Sequence, residues 1–310
     1  MSELIFHHYA MSPFAEKVRL VFGYKNLAWK SVIIPMIMPK PDVIALTGGY
    51  RKTPILQIGA DVYCDTALIC RVLDRLHPQP SIYPAAAEGA ANVLAQWADS
   101  ALFWSAIPYA LQPKCIGSVF GDATPETIRA FSIDRAAFTS GMRRATLADA
   151  TAQLTVYLGW LENQLADGRK FFVGESPSIA DFSVVHSIWF IRRAPEVADL
   201  LAPHGKLDAW YARMQAFGHG SHERLASPDA IAIAANTKER APIEFDESQG
   251  FVRDEPVNVS ATDYGADPVA GLLAGLSREE VVVRRNDERA GGVHVHFPRI
   301  GFQVKKAKTQ

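Results

Sequence analysis

Two rhythms of apolar and polar positions alternate along the first part of the chain. Leu4 to His8 reads as a short strand that breaks at Tyr9 to Ser12. Pro13 follows where a helix would begin, with Ser12 before it as the cap, a favoured opening pair. Phe14, Val18, Val21 and Phe22 recur at helical spacing, with Glu16, Lys17 and Arg19 on the other side. Trp29 to Ile34 predicts a second strand. Pro35 to Arg51 carries three prolines and the Gly48-Gly49 pair, so it predicts loop around one weak helix. Pro54 to Ile58 and Val62 to Cys64 predict a hairpin through Gly59-Ala60-Asp61. Thr66 to Leu76 then predicts a helix with Leu68, Ile69, Val72, Leu73 and Leu76 on its apolar face. The expected order is β-α-β-α-β-β-α.

The proline-rich stretch His77 to Glu88 reads as a connection, and the pattern beyond it is helical to about Asn236. Thr124-Pro125 is a second cap-then-proline start, and Gly168 and Gly218 are helix stops. Ser178-Ile-Ala-Asp181 is a capping-box variant ahead of Phe182 to Ile191, which is apolar almost all round and predicts a buried central helix. After Asn236 the composition shifts. Lys238 to Pro256 is charged and irregular. Short alternating runs follow at Val257 to Ser260, Glu280 to Arg285, Val293 to Phe297 and Phe302 to Val304. The expected division is 1–78, 88–236 and a small β-rich unit at 250–310, too small to stand alone and so packed on the preceding domain or a partner chain.

Composition changes this picture little. Apolar residues are 48% and charged residues 21%, as in soluble globular proteins. The 32 basic and 33 acidic side chains give no electrostatic reason to expect nucleic acid. The best apolar run, Phe182 to Ile191, is about half a membrane span. The N-terminus lacks the pattern of a secretory leader. Three cysteines without a CxxC pair suit a reducing cytoplasm.

Four features of the first domain suit a thiol ligand. Ser12 is a hydroxyl at a strand-to-helix turn, where free N–H groups and the helix dipole favour an anion. Shifting a thiol down by about two pKa units needs roughly 2.7 kcal/mol. One hydrogen bond to a charged group, about 1.5–3 kcal/mol, plus a helix terminus at up to about 2 kcal/mol, suffices. The bland alternative is that Ser12 only caps its helix. Thr53-Pro54 places a proline at a strand entrance; a cis bond there would turn the backbone of Thr53 toward a peptide-like ligand, whereas a trans bond would only start the strand. Asp65-Thr66 opens a helix and suits the zwitterionic end of an amino acid, or else is a plain cap. Lys40, Arg51 and Lys52 are cations for a second carboxylate.

These residues resemble cytosolic glutathione S-transferases over about residues 3–230. SPFAEKVRLVFGYK resembles the serine-type signature of the tau-like and related classes, TPILQIGADVYCDTALICRVLD the V-P-x-L…E-S-x-x-I block, and FVGESPSIADFSV the helical G-x-x-x-[ST]-x-A-D block. The resemblance implies a thioredoxin-like α/β domain followed by an all-α helical bundle domain, with the C-terminal β-rich unit as an addition. It implies glutathione as co-substrate, no metal, a homodimer, and a cytoplasmic detoxifying enzyme. By the same resemblance Ser12 matches the thiol-activating hydroxyl, Pro54 the cis-proline with Thr53 pairing the cysteinyl part, Lys52 a basic residue near the tripeptide, and Asp65-Thr66 the Glu-Ser pair that holds the γ-glutamyl end. Ser178 and Asp181 match a structural capping box. Ser12 in place of cysteine argues against mixed-disulfide chemistry, and no tandem-serine and cysteine signature of zeta-like isomerases is present.

The expected reaction is thiolate attack on a small hydrophobic electrophile in an apolar pocket drawn from Tyr9, Met11, Phe14, Phe103, Trp104 and Tyr109, unless those aromatics only pack helices. Glutathione-dependent peroxide reduction, dehalogenation or isomerisation would use the same site, and a non-catalytic interaction module would keep the fold alone. His294 and His296 share one strand face, but no third ligand stands near them and the flanking Val293, Val295 and Phe297 account for a half-buried strand. His7 and His8 lie on the first strand, one expected to face the core. Lys305, Lys306 and Lys308 are expected to be solvated.

Overall fold

The computed structural model describes residues 3–307; Lys308 lies outside them. The first elements are β1 (Ile5–His8), α1 (Pro13–Tyr24), β2 (Ala28–Ile33), α2 (Pro41–Thr47), β3 (Ile55–Ile58), β4 (Asp61–Cys64) and α3 (Thr66–Leu76), in the order the pattern predicts. β1 runs parallel to β2, and β3 is antiparallel to both β1 and β4. A thioredoxin-like half results.

Glu16, Lys17 and Arg19 do not face solvent as their position opposite the apolar stripe suggests. They are 2%, 0% and 5% exposed. The cause is that α1 has two covered faces, one on the sheet and one on the helical domain. Each charge is met: Arg19 pairs with Glu16 at 2.8 Å, His219 reaches Glu16 at 3.1 Å, and Lys17 pairs with Asp99 at 2.6 Å.

The second domain is helical. α4 (Glu88–Trp97) runs through a π-helical turn at Ala98–Leu102 into α5 (Phe103–Ala110); α6 (Ile116–Phe120), α7 (Pro125–Phe138), α8 (Leu147–Gln164), α9 (Ile179–Arg192), α10 (Gly205–Gln215) and α11 (Ser227–Asn236) follow. α9 is the buried central helix. Asp181 at its start accepts from the Ser178 N–H at 2.8 Å, the Phe172 N–H at 3.0 Å and the Trp210 indole at 2.9 Å, so the capping box ties three segments together. One strand interrupts the helical stretch: β5 (Ser221–Arg224) pairs parallel with β2. All four of its residues are exposed, so no alternation betrays it.

The C-terminal strands are β6 (Pro256–Ala261), β7 (Val269–Leu276), β8 (Glu280–Asp287), β9 (Gly291–Pro298) and β10 (Phe302–Lys306). They do not form a sheet of their own. β9 pairs parallel with β4, with Asp61 opposite His294 and Tyr63 opposite His296. A single ten-stranded sheet results, ordered β10-β6-β7-β8-β9-β4-β3-β1-β2-β5. Ile5, Val32, Ile55 and Val62 share one core with Val259, Leu273, Val283, Val295 and Phe297. Of the tail lysines, Lys306 pairs with Glu255 at 2.8 Å.

His7 and His8 are both buried, because both sheet faces are covered at β1. His7 Nε2 donates to Gln57 Oε1 at 2.8 Å, and Gln57 Nε2 donates to the carbonyls of Gly59 and Ala230. His8 meets Ser31 at 2.9 Å and accepts from Arg19 at 3.1 Å. Burial depresses His7 from 6.5 to about 4 and His8 to about 3. A depressed imidazole stays neutral in the folded chain while the unfolded chain takes up a proton below about pH 6.5, so stability falls as pH drops. His7 alone should cost roughly 2 kcal/mol between pH 7 and pH 5. Urea unfolding of His7→Gln, which keeps an N–H donor, should show a pH 7-to-5 loss smaller than the native chain's by about that amount; an unchanged loss would contradict the assignment.

Candidate active site

The turn after β1 is built by buried charge. Arg19, held by Glu16, donates to the Ala10 carbonyl at 3.1 Å and so fixes the turn Tyr9–Ser12 from beneath. Ser12, 2% exposed, caps α1: its Oγ accepts from the Ala15 N–H at 3.2 Å. Capping uses an oxygen lone pair. The hydroxyl hydrogen is not committed by it.

Ser12 borders a cleft of about 800 Å³ between the two domains. Tyr9, Met11, Phe14, Lys52, Thr53, Phe103 and Trp104 line it together with Ser12. Phe14 packs on Phe103, with centroids 4.6 Å apart. Tyr109 is not in the lining. Its hydroxyl donates to the Val197 carbonyl at 3.0 Å, which places it among the helices.

The bond Thr53-Pro54 is cis. Lys40 is 2% exposed, and its ammonium lies 3.3 Å from Thr53 Oγ1 and 3.5 Å from the Arg51 carbonyl. Burial and then the Arg135 charge lower it to about 8. Lys40 therefore braces the segment that presents Thr53 and is not itself in the cleft lining. Asp65 caps α3 through the Ala67 N–H at 2.9 Å, and burial holds its carboxyl above the usual range against that bond. Thr66 Oγ1 accepts from Lys17 at 3.2 Å. Lys17 in turn meets Asp99, which lies on the π-helical turn and also takes His186 at 3.0 Å and Ser183 at 3.2 Å. Burial works against the Asp99 charge, but Lys17 and His186 outweigh it and its carboxyl lies below the usual range. A buried ionic cluster thus joins α1, α3 and α9 directly behind the cleft.

Arg135 and Tyr264 line the cleft without a signal in the sequence, while Arg51, expected there as a cation for a carboxylate, is already paired. Arg135 donates to the Tyr9 hydroxyl at 3.3 Å and to the Met36 carbonyl at 2.9 Å. Arg51 pairs with Asp134 at 2.9 Å and lies over Phe138 at 4.5 Å. Tyr264 comes from the connection between β6 and β7. Its ring packs edge-on against Trp104 at 4.9 Å and Phe138 at 5.2 Å, and the Lys52 ammonium lies 4.0 Å from its centroid. The neighbouring Asp263 pairs with Lys52 at 2.6 Å. No sequence signal ties residue 264 to a cleft whose other lining residues lie between 9 and 190.

Residues 6–81 match the family described as "Glutathione S-transferase, N-terminal domain" and residues 144–213 match "Glutathione S-transferase, C-terminal domain". A crystal structure of a GST-like protein from Pseudomonas syringae is similar at 43% identity and a TM-score of 0.83, covering 99% of this chain and 100% of that one. The chain belongs to the glutathione S-transferase family. Two further structures are similar in fold. A glutathione S-transferase from Rhodospirillum rubrum shares 20% identity over 77% of this chain and 96% of its own, with a TM-score of 0.53. A Tau class enzyme from mango, Mangifera indica, shares 17% over 69% and 89%, with a TM-score of 0.51. No curated protein sequence matches. Among the described residues no helix is long and apolar enough to cross a membrane.

Replacing Tyr264 by alanine removes two edge-on aromatic pairs and opens that side of the cleft. The variant should lose about 1–3 kcal/mol in urea unfolding and bind more of an apolar fluorescent dye. A variant equal to the native chain in both measurements would show that Tyr264 does not close the cleft.

Proposed function

We propose that the chain is a glutathione transferase in which Ser12 stabilises the glutathione thiolate for attack on a small hydrophobic electrophile. The observation that carries this reading is the position of Ser12, whose oxygen caps α1 while its hydroxyl hydrogen is available at the cleft. The hydroxyl donates to the thiolate and takes no covalent part. In this reading residues 1–78 hold glutathione, with Thr53 pairing its cysteinyl main chain; among the described residues the main chain of Thr53 has no protein partner. Asp65 and Thr66 hold the γ-glutamyl end and Lys52 the far carboxylate, with Lys40 in support. Residues 88–236 supply the electrophile's wall through Phe103 and Trp104, opposite Tyr9, Met11 and Phe14. Residues 250–310 close one side through Tyr264.

The serine-type, tau-like assignment, cytoplasmic location, detoxifying role and homodimer belong to the same reading. Val93 on α4 and Val156 and Trp160 on α8 expose apolar surface that a second copy would cover. Oxidative mixed-disulfide chemistry is not favoured, since the described cysteines are buried and none lines the cleft.

The test is Ser12→Ala, followed by the absorbance of bound thiolate and by turnover of an aromatic electrophile across pH. Loss of one hydrogen bond to a charged group, about 1.5–3 kcal/mol, should raise the bound thiol's pKa by roughly one to two units. Turnover at neutral pH should fall roughly 10- to 100-fold. The cap itself contributes about 1 kcal/mol to folding, which a thermal melt separates from the chemical effect. An unchanged thiol pKa with unchanged turnover removes Ser12 from the mechanism.

A further inference from the structure

Outside the cleft, one cluster of chemical groups has no part in the proposed reaction. It lies on the seam between β4 and β9. His294 and His296 are two residues apart on β9 and so share a face of the sheet. Asp61 is paired with His294 in the β4–β9 register and projects beside them. Asp61 is 4% exposed and His296 2%. Asp61 Oδ1 lies 3.0 Å from His296 Nε2 and 3.5 Å from His294 Nδ1, and one donor atom from each of the three residues lies within 4.8 Å of the other two.

The two carboxylate-to-imidazole separations bracket those of a coordination shell. A tetrahedral zinc site with bonds of about 2.0–2.1 Å sets neighbouring ligand atoms about 3.3 Å apart. The surrounding groups orient the three donors. Glu280, on β8, engages His296 Nδ1 and leaves Nε2 directed at Asp61. A carboxylate behind a ligating imidazole is the usual support of such a ligand. The Ala241 N–H donates to Asp61 Oδ2 at 2.7 Å, which turns Oδ1 toward the two rings. His294 Nδ1 is buried and has no hydrogen-bond partner. One carboxylate oxygen therefore faces two ring nitrogens, an arrangement that a cation completes.

We propose that Asp61, His294 and His296 form a site for a borderline divalent cation of the zinc type, with Glu280 as the positioning residue. Two imidazoles and one carboxylate suit zinc, cobalt or nickel and not magnesium or calcium, which take oxygen ligands. Asp61 and Glu280 also border a second cleft, of about 1080 Å³, which brings solvent to the carboxylate side of the cluster. The ion would clamp β9 to β4, and through Asp61 and Ala241 it would hold the strap that carries the chain from α11 to the C-terminal strands. Only His-x-His is visible in the sequence, because Asp61 is 233 residues away, on a strand that is adjacent only in space.

The test uses the full chain stripped of metal by chelation, titrated with Zn²⁺ or Co²⁺ alone. One equivalent should bind per chain. Co²⁺ should give the intense visible bands of a four-coordinate centre, and Zn²⁺ should raise the melting temperature. His294→Ala should weaken binding on the order of 100-fold or more and abolish the melting shift, while Glu280→Gln should weaken it roughly 10- to 100-fold. Should the alanine variant fail to fold, His294→Gln makes the same comparison. Failure of the native chain to bind an equivalent, or equal binding by the native chain and the folded His294 variant, would overturn the assignment.

Discussion

β4 has hydrogen-bonded neighbours on both sides, and the rest of the molecule depends on that. A thioredoxin-like half on its own would end its sheet at β4 and leave a row of unpaired main-chain groups, the kind of edge that recruits other strands. Here β9 takes that edge in parallel register, and four more strands follow from it. The β6–β7 connection is thereby brought over the interdomain cleft, which is how Tyr264 meets Trp104 and Phe138. The seam also sets Asp61 against two histidines from the far end of the chain. Fold, cleft wall and the second polar cluster thus follow from one pairing.

The other organising feature is the treatment of charge on α1. A helix covered on two faces has little room for polar residues, yet Glu16, Lys17 and Arg19 are all buried there. Breaking a buried ion pair by removing one partner costs about 3–5 kcal/mol, so these positions tolerate little change. Their geometry explains why the motif carries basic residues. Arg19 holds the Ala10 carbonyl, and Lys17 joins Thr66 to Asp99. Both contacts fix the shape of the site from within the protein.

Elements whose signal is local were legible in the sequence. The cap-proline opening at Ser12-Pro13, the apolar face of α3 and the capping box before α9 all announce themselves within a few residues. Two strands did not. β5, Ser-His-Glu-Arg, is exposed throughout and exists because β2 offers it an edge. β7, Val-Ala-Gly-Leu-Leu-Ala-Gly-Leu, has no alternation to read, because four consecutive residues at its end are buried. For the candidate site the division is similar. Most of the cleft's first-domain wall lies within a few residues of the Ser12 motif. Tyr264, Arg135 and the true place of Tyr109 depend on contacts between distant segments, and aromatic character alone could not separate a cleft wall from helix packing.

The pairing of Lys52 bears on how the cleft would receive a tripeptide. On the proposed reading Lys52 meets a ligand carboxylate, but Asp263 already occupies its ammonium at 2.6 Å. The Lys52 side chain is 10% exposed but the Asp263 carboxylate is 50% exposed, so solvent partly screens the pair and its contribution is on the order of 1 kcal/mol. A ligand carboxylate that also gains main-chain bonds along Thr53 would displace it at small cost. Lys40 offers no such exchange: it is buried, depressed to about 8 and bonded into the segment it supports. On that reading the exchangeable cation is Lys52, which Asp263 pairs in the free protein.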